Sequence, residues 1–284
     1  MTDDTRQREA TPNASEDLVQ AVRDRYAGIA TGVQSSCCTQ QTSCCGAPAD
    51  TSARLGYRPE ELQQLPEGAD LGLGCGAPLA ALTLTSGETV LDLGSGAGID
   101  VILASRMVGA EGRVIGVDMT AEMIDRARQT VDNAGADNVE LRQGRLESLP
   151  LDDASVDAVT SNCVINLVPD KAAVFREVAR VLRPGGRMAV SDIVLDRALP
   201  EIVSSDLMAY VGCVAGAIDR TTYFDTLRSA GMTDITIVRD IDFLAVAGDS
   251  LPAEIEDLLE RTGVSIAELK GTVRSVTYVA RKQG

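Results

Sequence analysis

The sequence predicts an α/β fold, a doubly wound and mostly parallel sheet, and three observations lead there. Short apolar runs with strand character alternate with helical patterns from about Glu88 to Ile193. A glycine-rich turn, Gly94-Ser-Gly-Ala-Gly98, joins the first run to the first long helix. An acid, Asp118, ends the second run, near the roughly 20-residue offset at which a carboxylate grips a ribose diol. Glycine there permits positive φ and lets a ligand approach bare backbone. The spacing lacks the third glycine of the dinucleotide fingerprint; loop and acid together predict a nucleoside-bearing cofactor.

Taken in order, residues 1 to about 14 are polar and predict disorder. Asn13 or Ser15 can cap a helix to about Ala30, with Leu18, Val19, Val22 and Tyr26 on one face. Gly32 to Ala53 is rich in Ser, Thr, Gln and Gly and supports no regular structure; it reads as a mobile arm carrying Cys37, Cys38, Cys44 and Cys45. Leu55 to Leu65 predicts a short helix with Pro59 in its first turn. Leu71-Gly-Leu-Gly-Cys-Gly-Ala-Pro78 is too glycine-rich for an element interior. Pro78 predicts a helix through Leu84, about 10 Å long at ~1.5 Å per residue. Its N-terminus would bring Cys75 to the glycine-loop side of the sheet, where the helix dipole eases ionisation of the thiol.

Val90 to Leu93, Arg113 to Val117, Val139 to Arg142, Val156 to Thr160 and Arg187 to Ile193 are the first five expected strands. Helices to about Val108, from Thr120 to Ala134 and from Lys171 to Leu182 separate them. The final third breaks the alternation, with helices over Glu201–Val211 and Thr222–Ala230 and a helical insertion near Ala253–Lys270. Two late strands, Ile235–Val238 and Val273–Ala280, complete the sheet. The expected organisation is a thiol arm (1–54), a cofactor-binding domain (55–195) and a substrate-side region (196–284).

A formal charge of −16 in 284 residues argues against nucleic-acid and anionic-membrane partners, because phosphate would be repelled. No stretch approaches the ~18 apolar residues of a membrane span, and the polar N-terminus lacks an export signal; a cytoplasmic protein is expected. There is no histidine, which removes the commonest general base and metal ligand. Seven cysteines without an export signal argue for functional thiols over a structural disulfide set.

Motif by motif, V-L-D-L-G-S-G-A-G (90–98), the acid at 118, G-R-L-E-S-L-P (144–150) and L-R-P-G-G (182–186) resemble the class I S-adenosylmethionine-dependent methyltransferases, a Rossmann-like fold. The resemblance implies a cofactor site of Asp92, Gly94, Ser95, Gly96 and Gly98, with Asp118 on the ribose and Met119, Leu146 and Glu147 around the adenine. Asn162 and Cys163 would face the transferred methyl. L-G-L-G-C-G-A-P (71–78), S-N-C-V-I-N-L-V-P-D-K (161–171) and Y-V-G-C-V-A-G-A-I (210–218) are similar to the arsenite S-adenosylmethionine methyltransferases. Ala77 departs from that family, which usually has asparagine there.

Cys75, Cys163 and Cys213 also make chemical sense by themselves, because ligands of doubly wound folds bind beyond the carboxyl ends of the strands. Their separations, 88 and 50 residues, match no zinc ribbon, and no fourth ligand is evident. Three thiolates suit a soft, three-coordinate centre such as trivalent arsenic. The expected reaction is attack of the arsenic lone pair on the sulfonium methyl, which needs no general base. Cys37, Cys38, Cys44 and Cys45 are then candidates to capture arsenite or relay electrons to an external thiol reductant, glutathione or thioredoxin. Arsenite and methylated trivalent arsenicals are the expected substrates, and a monomer the expected state. Two other readings compete. One is a methyltransferase of a small organic acceptor using Asp192 or Tyr210 as base; the other is a metalloid-sequestering protein without turnover.

Overall fold

The computed structural model describes residues 14–32, 48–205, 216–247 and 253–284. In chain order its strands are β1 (Thr89–Leu93), β2 (Arg113–Asp118), β3 (Val139–Gln143), β4 (Val156–Asn162), β5 (Leu182–Leu195), β6 (Met232–Asp242) and β7 (Val273–Lys282). Across the sheet they run β3-β2-β1-β4-β5-β7-β6. The first five are parallel, and β7 is antiparallel to both β5 and β6. Strand order reverses between β1 and β4, so the ligand crevice of such a sheet lies beyond the carboxyl ends of those two strands. All seven strands expected from the sequence are present.

The main helices are α1 (Ala14–Thr31), α2 (Pro48–Leu55), α3 (Pro59–Leu62), α4 (Ile99–Val108), α5 (Ala121–Ala134) and α6 (Lys171–Val181). Their apolar positions follow the helical period: Met123, Ile124, Ala127 and Val131 of α5 are buried, as are Val174, Phe175, Val178 and Val181 of α6. β1 is buried on both faces, with Val90, Leu91 and Leu93 at 0% exposure, as a central parallel strand should be. Phe175, Tyr223, Phe224 and Tyr278 pack edge-to-face, with centroids 5.2–6.0 Å apart, between α6, the helix Arg220–Ser229 and β7.

Several boundaries differ from expectation. Residues 48–53, read as featureless, belong to α2, which long-range contacts fix: Ser52 Oγ donates to Asp70 (2.9 Å), and Arg239 donates to the carbonyls of Arg54 (2.9 Å) and Leu55. The expected helix 78–84 is a single 3₁₀ turn, Pro78–Ala81, after which Leu82 turns extended. Four residues carry little dipole, so the helix-dipole argument for Cys75 fails, although its position on the glycine-loop side holds. Thr120 is the N-cap of α5, but its hydroxyl makes no cap bond; its N–H donates instead to Asp118 (2.9 Å). Strand β5 begins at Leu182, earlier than expected, but Arg183-Pro-Gly-Gly186 bulges out of its ladder, whose register with β4 jumps from Val156–Leu182 to Ala158–Arg187. Of the expected helix Glu201–Val211, Glu201–Ser204 is seen, with Ser205 as its C-cap; residues 206–211, Tyr210 among them, lie outside the described residues, as do Cys213, Cys37, Cys38, Cys44 and Cys45.

Candidate active site

The glycine loop turns back on β2: the amides of Gly94 and Ser95 both donate to the Val117 carbonyl, at 2.7 and 3.1 Å. Gly94 has φ +66°, and a Cβ there would stand 2.5 Å from a methyl of Val164, so no other residue fits. Asp118 completes the loop from the next strand. One of its carboxylate oxygens accepts from Gly96 N (3.1 Å) and the other from Thr120 N (2.9 Å), which aims the group at the crevice.

Asp92, Gly94, Ser95, Gly96, Asp118, Met119, Leu146, Glu147, Asn162 and Cys163 all line one cavity above the β1/β4 break. The space between its walls, open solvent at the mouth included, is about 1110 Å³. Gly98 does not line it; it caps α4 in the left-handed region, packed against Thr130. Glu147 is in the cavity wall but its carboxylate is paired with Arg145 (2.8 Å). Val19, Val22 and Tyr26 of α1 roof the cavity, a role periodicity alone could not reveal. Arg126 of α5 holds that roof by donating to the carbonyl of Ala30 (3.0 Å).

The cavity is strongly acidic. Asp92, Asp100 and Asp118 line it, and burial raises the pKa of all three: Asp92 well above the usual carboxylate range and Asp100 to about 6. Mutual repulsion adds to the rise at Asp92. Ser95 Oγ is buried there with no hydrogen-bond partner among the described residues. Such a lining favours a cationic ligand that carries hydroxyls.

Asn162 joins this cavity to the first cysteine. Its Oδ1 accepts from Cys75 N (3.0 Å), and its amide donates to Gly76 O and to Tyr57 Oη, each at 2.8 Å. Tyr57 in turn donates to Asp100 (2.9 Å). The glycines beside Cys75 now have a reason: a Cβ on Gly74 would lie 2.7 Å from the Asn162 amide, and one on Gly76 2.3 Å from Ser191 Oγ. The Cys75 backbone is thus pressed onto the ends of β4 and β5.

Cys163 follows β4 directly and its N–H donates to Ser191 O (2.8 Å). It has φ +59°, a left-handed conformation that costs an L side chain about 1–2 kcal/mol. Neither Cys75 nor Cys163 forms a disulfide, and both are buried. Their sulfurs and a carboxylate oxygen of Asp192 all lie within 4.8 Å of one another. Asp192, weighed from sequence only as a base for an organic acceptor, therefore stands beside the thiols. Burial raises its pKa to about 7, against the opposing influence of Lys171. An apolar cluster that includes Val22, Leu167, Ile193, Leu244 and Leu269 surrounds the two cysteines.

The strain at Cys163 is testable. Glycine is ordinarily less stable than alanine in regular structure by about 0.5–1 kcal/mol. At this φ the order should invert, with Cys163→Gly melting above Cys163→Ala in thermal unfolding. The usual order would contradict a strained backbone.

Fold, glycine loop, the carboxylate that ends β2 and the acidic cavity together are those of a class I methyltransferase. The sequence model of the methyltransferase domain matches residues 84–261. An arsenite methyltransferase of Halobacterium salinarum is 50% identical over 230 residues, covering 78% of this chain and 59% of that protein. One from Aquipseudomonas alcaligenes is 39% identical over 228 residues, with 78% and 64% covered. The crystal structure of an arsenic(III) S-adenosylmethionine methyltransferase from Chlamydomonas reinhardtii superposes with a TM-score of 0.57 at 33% identity, covering 84% of this chain and 75% of that one. The chain belongs to the arsenite methyltransferase family. It spans about three fifths of the length of the curated relatives it matches.

Proposed function

We propose that the protein transfers methyl groups from S-adenosylmethionine to trivalent arsenic held by cysteine thiolates. The observation that carries this reading is the pair of buried thiols, Cys75 and Cys163, beside the acidic cavity. The cofactor fits the residues present: Asp118 would hold its ribose hydroxyls, Met119 and Leu146 would flank its adenine, and the Gly94–Ala97 turn would take its methionine part. When bound, it supplies an electrophilic methyl on a sulfonium, the group that an arsenic lone pair attacks.

The chain does the rest by holding and aligning. Each cysteine that ligates arsenite gives up its thiol proton as one arsenic-bound hydroxyl leaves as water. Cys75 and Cys163 supply two thiolates and Cys213 the third, since trivalent arsenic takes three soft ligands. Arsenic carries no proton to remove, which agrees with a chain that has no histidine. Methylation oxidises arsenic formally to As(V); the four cysteines at 37, 38, 44 and 45, recharged by glutathione or thioredoxin, are the proposed source of the electrons. A cytoplasmic monomer is part of this reading; among the described residues, no helix is long and apolar enough to cross a membrane.

The test is to incubate the purified chain with arsenite, S-adenosylmethionine and a thiol, and to separate the arsenic species. Methylated arsenic is expected; its absence from protein that still binds the cofactor would refute the reading. Replacing all four N-terminal cysteines with serine should slow turnover of arsenite more than that of a methylated trivalent arsenical. Equal losses would contradict the capture-or-relay role.

A pH dependence follows from Asp100, whose pKa is about 6. A cationic cofactor favours ionised carboxylates, so binding should weaken as pH falls through that value. The demethylated product lacks the sulfonium charge and should lose less affinity. Calorimetry of both ligands at about pH 8 and about pH 5.5 checks this, and equal losses would remove the electrostatic argument.

A further inference from the structure

We propose that Cys75, Cys163 and Asp192 form a binding site for a thiophilic divalent cation of the zinc or cadmium type. Cysteine spacing alone gave no such site, because no fourth cysteine or histidine completes it. The fold supplies the missing ligand from β5. Ser191 O receives the N–H of Cys163 (2.8 Å), and the next residue is Asp192. Cys75 is drawn to the same place by Asn162 and by Ser275, whose hydroxyl donates to the Cys75 carbonyl.

The geometry suits a tetrahedral cation. With zinc–sulfur bonds of about 2.3 Å and zinc–oxygen bonds of about 2.0–2.2 Å, ligand atoms stand about 3.5–4 Å apart. The three candidate atoms lie within 4.8 Å of one another, so small side-chain rotations close the set. Three protein ligands leave a fourth position for water.

The carboxylate is supported from behind as a metal-bound carboxylate is. One oxygen accepts from Asn166 Nδ2 (2.8 Å) and Ile193 N (2.9 Å), and the other from the Tyr223 hydroxyl (3.1 Å). Two thiolates and a carboxylate overcompensate a divalent cation by one charge, and the buried Lys171 lies close enough to act on Asp192. Trivalent arsenic needs only thiolates and keeps a lone pair, so the oxygen ligand serves the cation selectively. Because both use Cys75 and Cys163, cation and arsenic exclude each other; that competition rests on the functional reading above, while the cation site does not.

The experiment uses the full chain with Cys37, Cys38, Cys44 and Cys45 replaced by serine, and cadmium as the probe. Equilibrium dialysis should find about one cadmium per chain, lost in Cys75→Ser and in Cys163→Ser. Asp192→Asn should weaken it by roughly 100-fold or more, since removing even a group behind a ligand costs about 10–100-fold. Phenylarsenous acid, which binds through two thiols, should bind that variant as before. X-ray absorption at the cadmium edge, on protein that keeps Asp192, should count both sulfur and oxygen ligands. A sulfur-only shell, no bound cadmium, or an Asp192→Asn variant of unchanged affinity would each overturn the site. Should cadmium bind as expected while arsenite is never methylated, the cation site stands and the functional reading falls.

Discussion

Cys163→Ser should lose arsenite methylation by orders of magnitude while keeping its fold and its affinity for the cofactor. The substitution alters one atom at the end of β4, where the sulfur lies within 4.8 Å of the Cys75 sulfur. Serine changes volume little, but its hydroxyl stays protonated at neutral pH and is a hard ligand. Its N–H keeps the bond to Ser191 O, and its φ is as strained as before, so stability should hardly move. Arsenic would lose one soft ligand, and its lone pair would no longer be held in line, the alignment that supplies much of such a rate. An organic acceptor with packing cysteines would instead leave most of the activity. The paired measurement is arsenite methylation and cofactor binding on the same folded variant; retained methylation would remove Cys163 from the arsenic site.

Asp118→Ala should weaken cofactor binding by about 1.5–3 kcal/mol, the usual worth of hydrogen bonds to a charged group, or roughly 10–150-fold. The carboxylate also accepts from Gly96 N and Thr120 N, so its removal should slacken the glycine loop as well as remove the proposed ribose contact. The fold should survive, because burial already holds the charged carboxylate at a disadvantage, as its raised pKa records. Titration calorimetry decides: unchanged affinity would dismiss the ribose assignment, while arsenical binding to the thiols should not change.

The parallel half of the sheet was legible because each buried strand is a short apolar run bounded by turn residues. The position of Asp118, ending β2 and bonded to the glycine loop, was legible because it lies at a fixed distance along a βαβ unit. What could not be read depends on partners far off in the chain. The sequence of α2, Pro-Ala-Asp-Thr-Ser-Ala-Arg-Leu, has poor intrinsic helicity and is held by Asp70 and Arg239. Pro78 correctly announced a helical start, but Thr83 and Thr85 favour extended backbone, and one turn was all that formed. Asp192 was weighed from the sequence only as a base for an organic acceptor; the pairing of β4 with β5 brings it to the thiols. The glycines around Cys75 were visible, yet their cause, contact with Asn162 and Ser191, lies in strands about 90–115 residues away.

Asn162 touches both halves of the site, lining the cofactor cavity while its amide group grips the backbone on either side of Cys75. Two ligands that each settle the same small unit cannot be independent. Asn162 already ties the Cys75 loop to the cavity wall through three hydrogen bonds, so a ligand that shifts Asn162 shifts the loop with it. Thermodynamic reciprocity then requires that any factor by which a ligand in the cavity changes binding at the thiols equal the factor by which a ligand on the thiols changes binding in the cavity. A shift of Asn162 on the cavity side would therefore be felt at the Cys75 backbone, and one at Cys75 would be felt in the cavity.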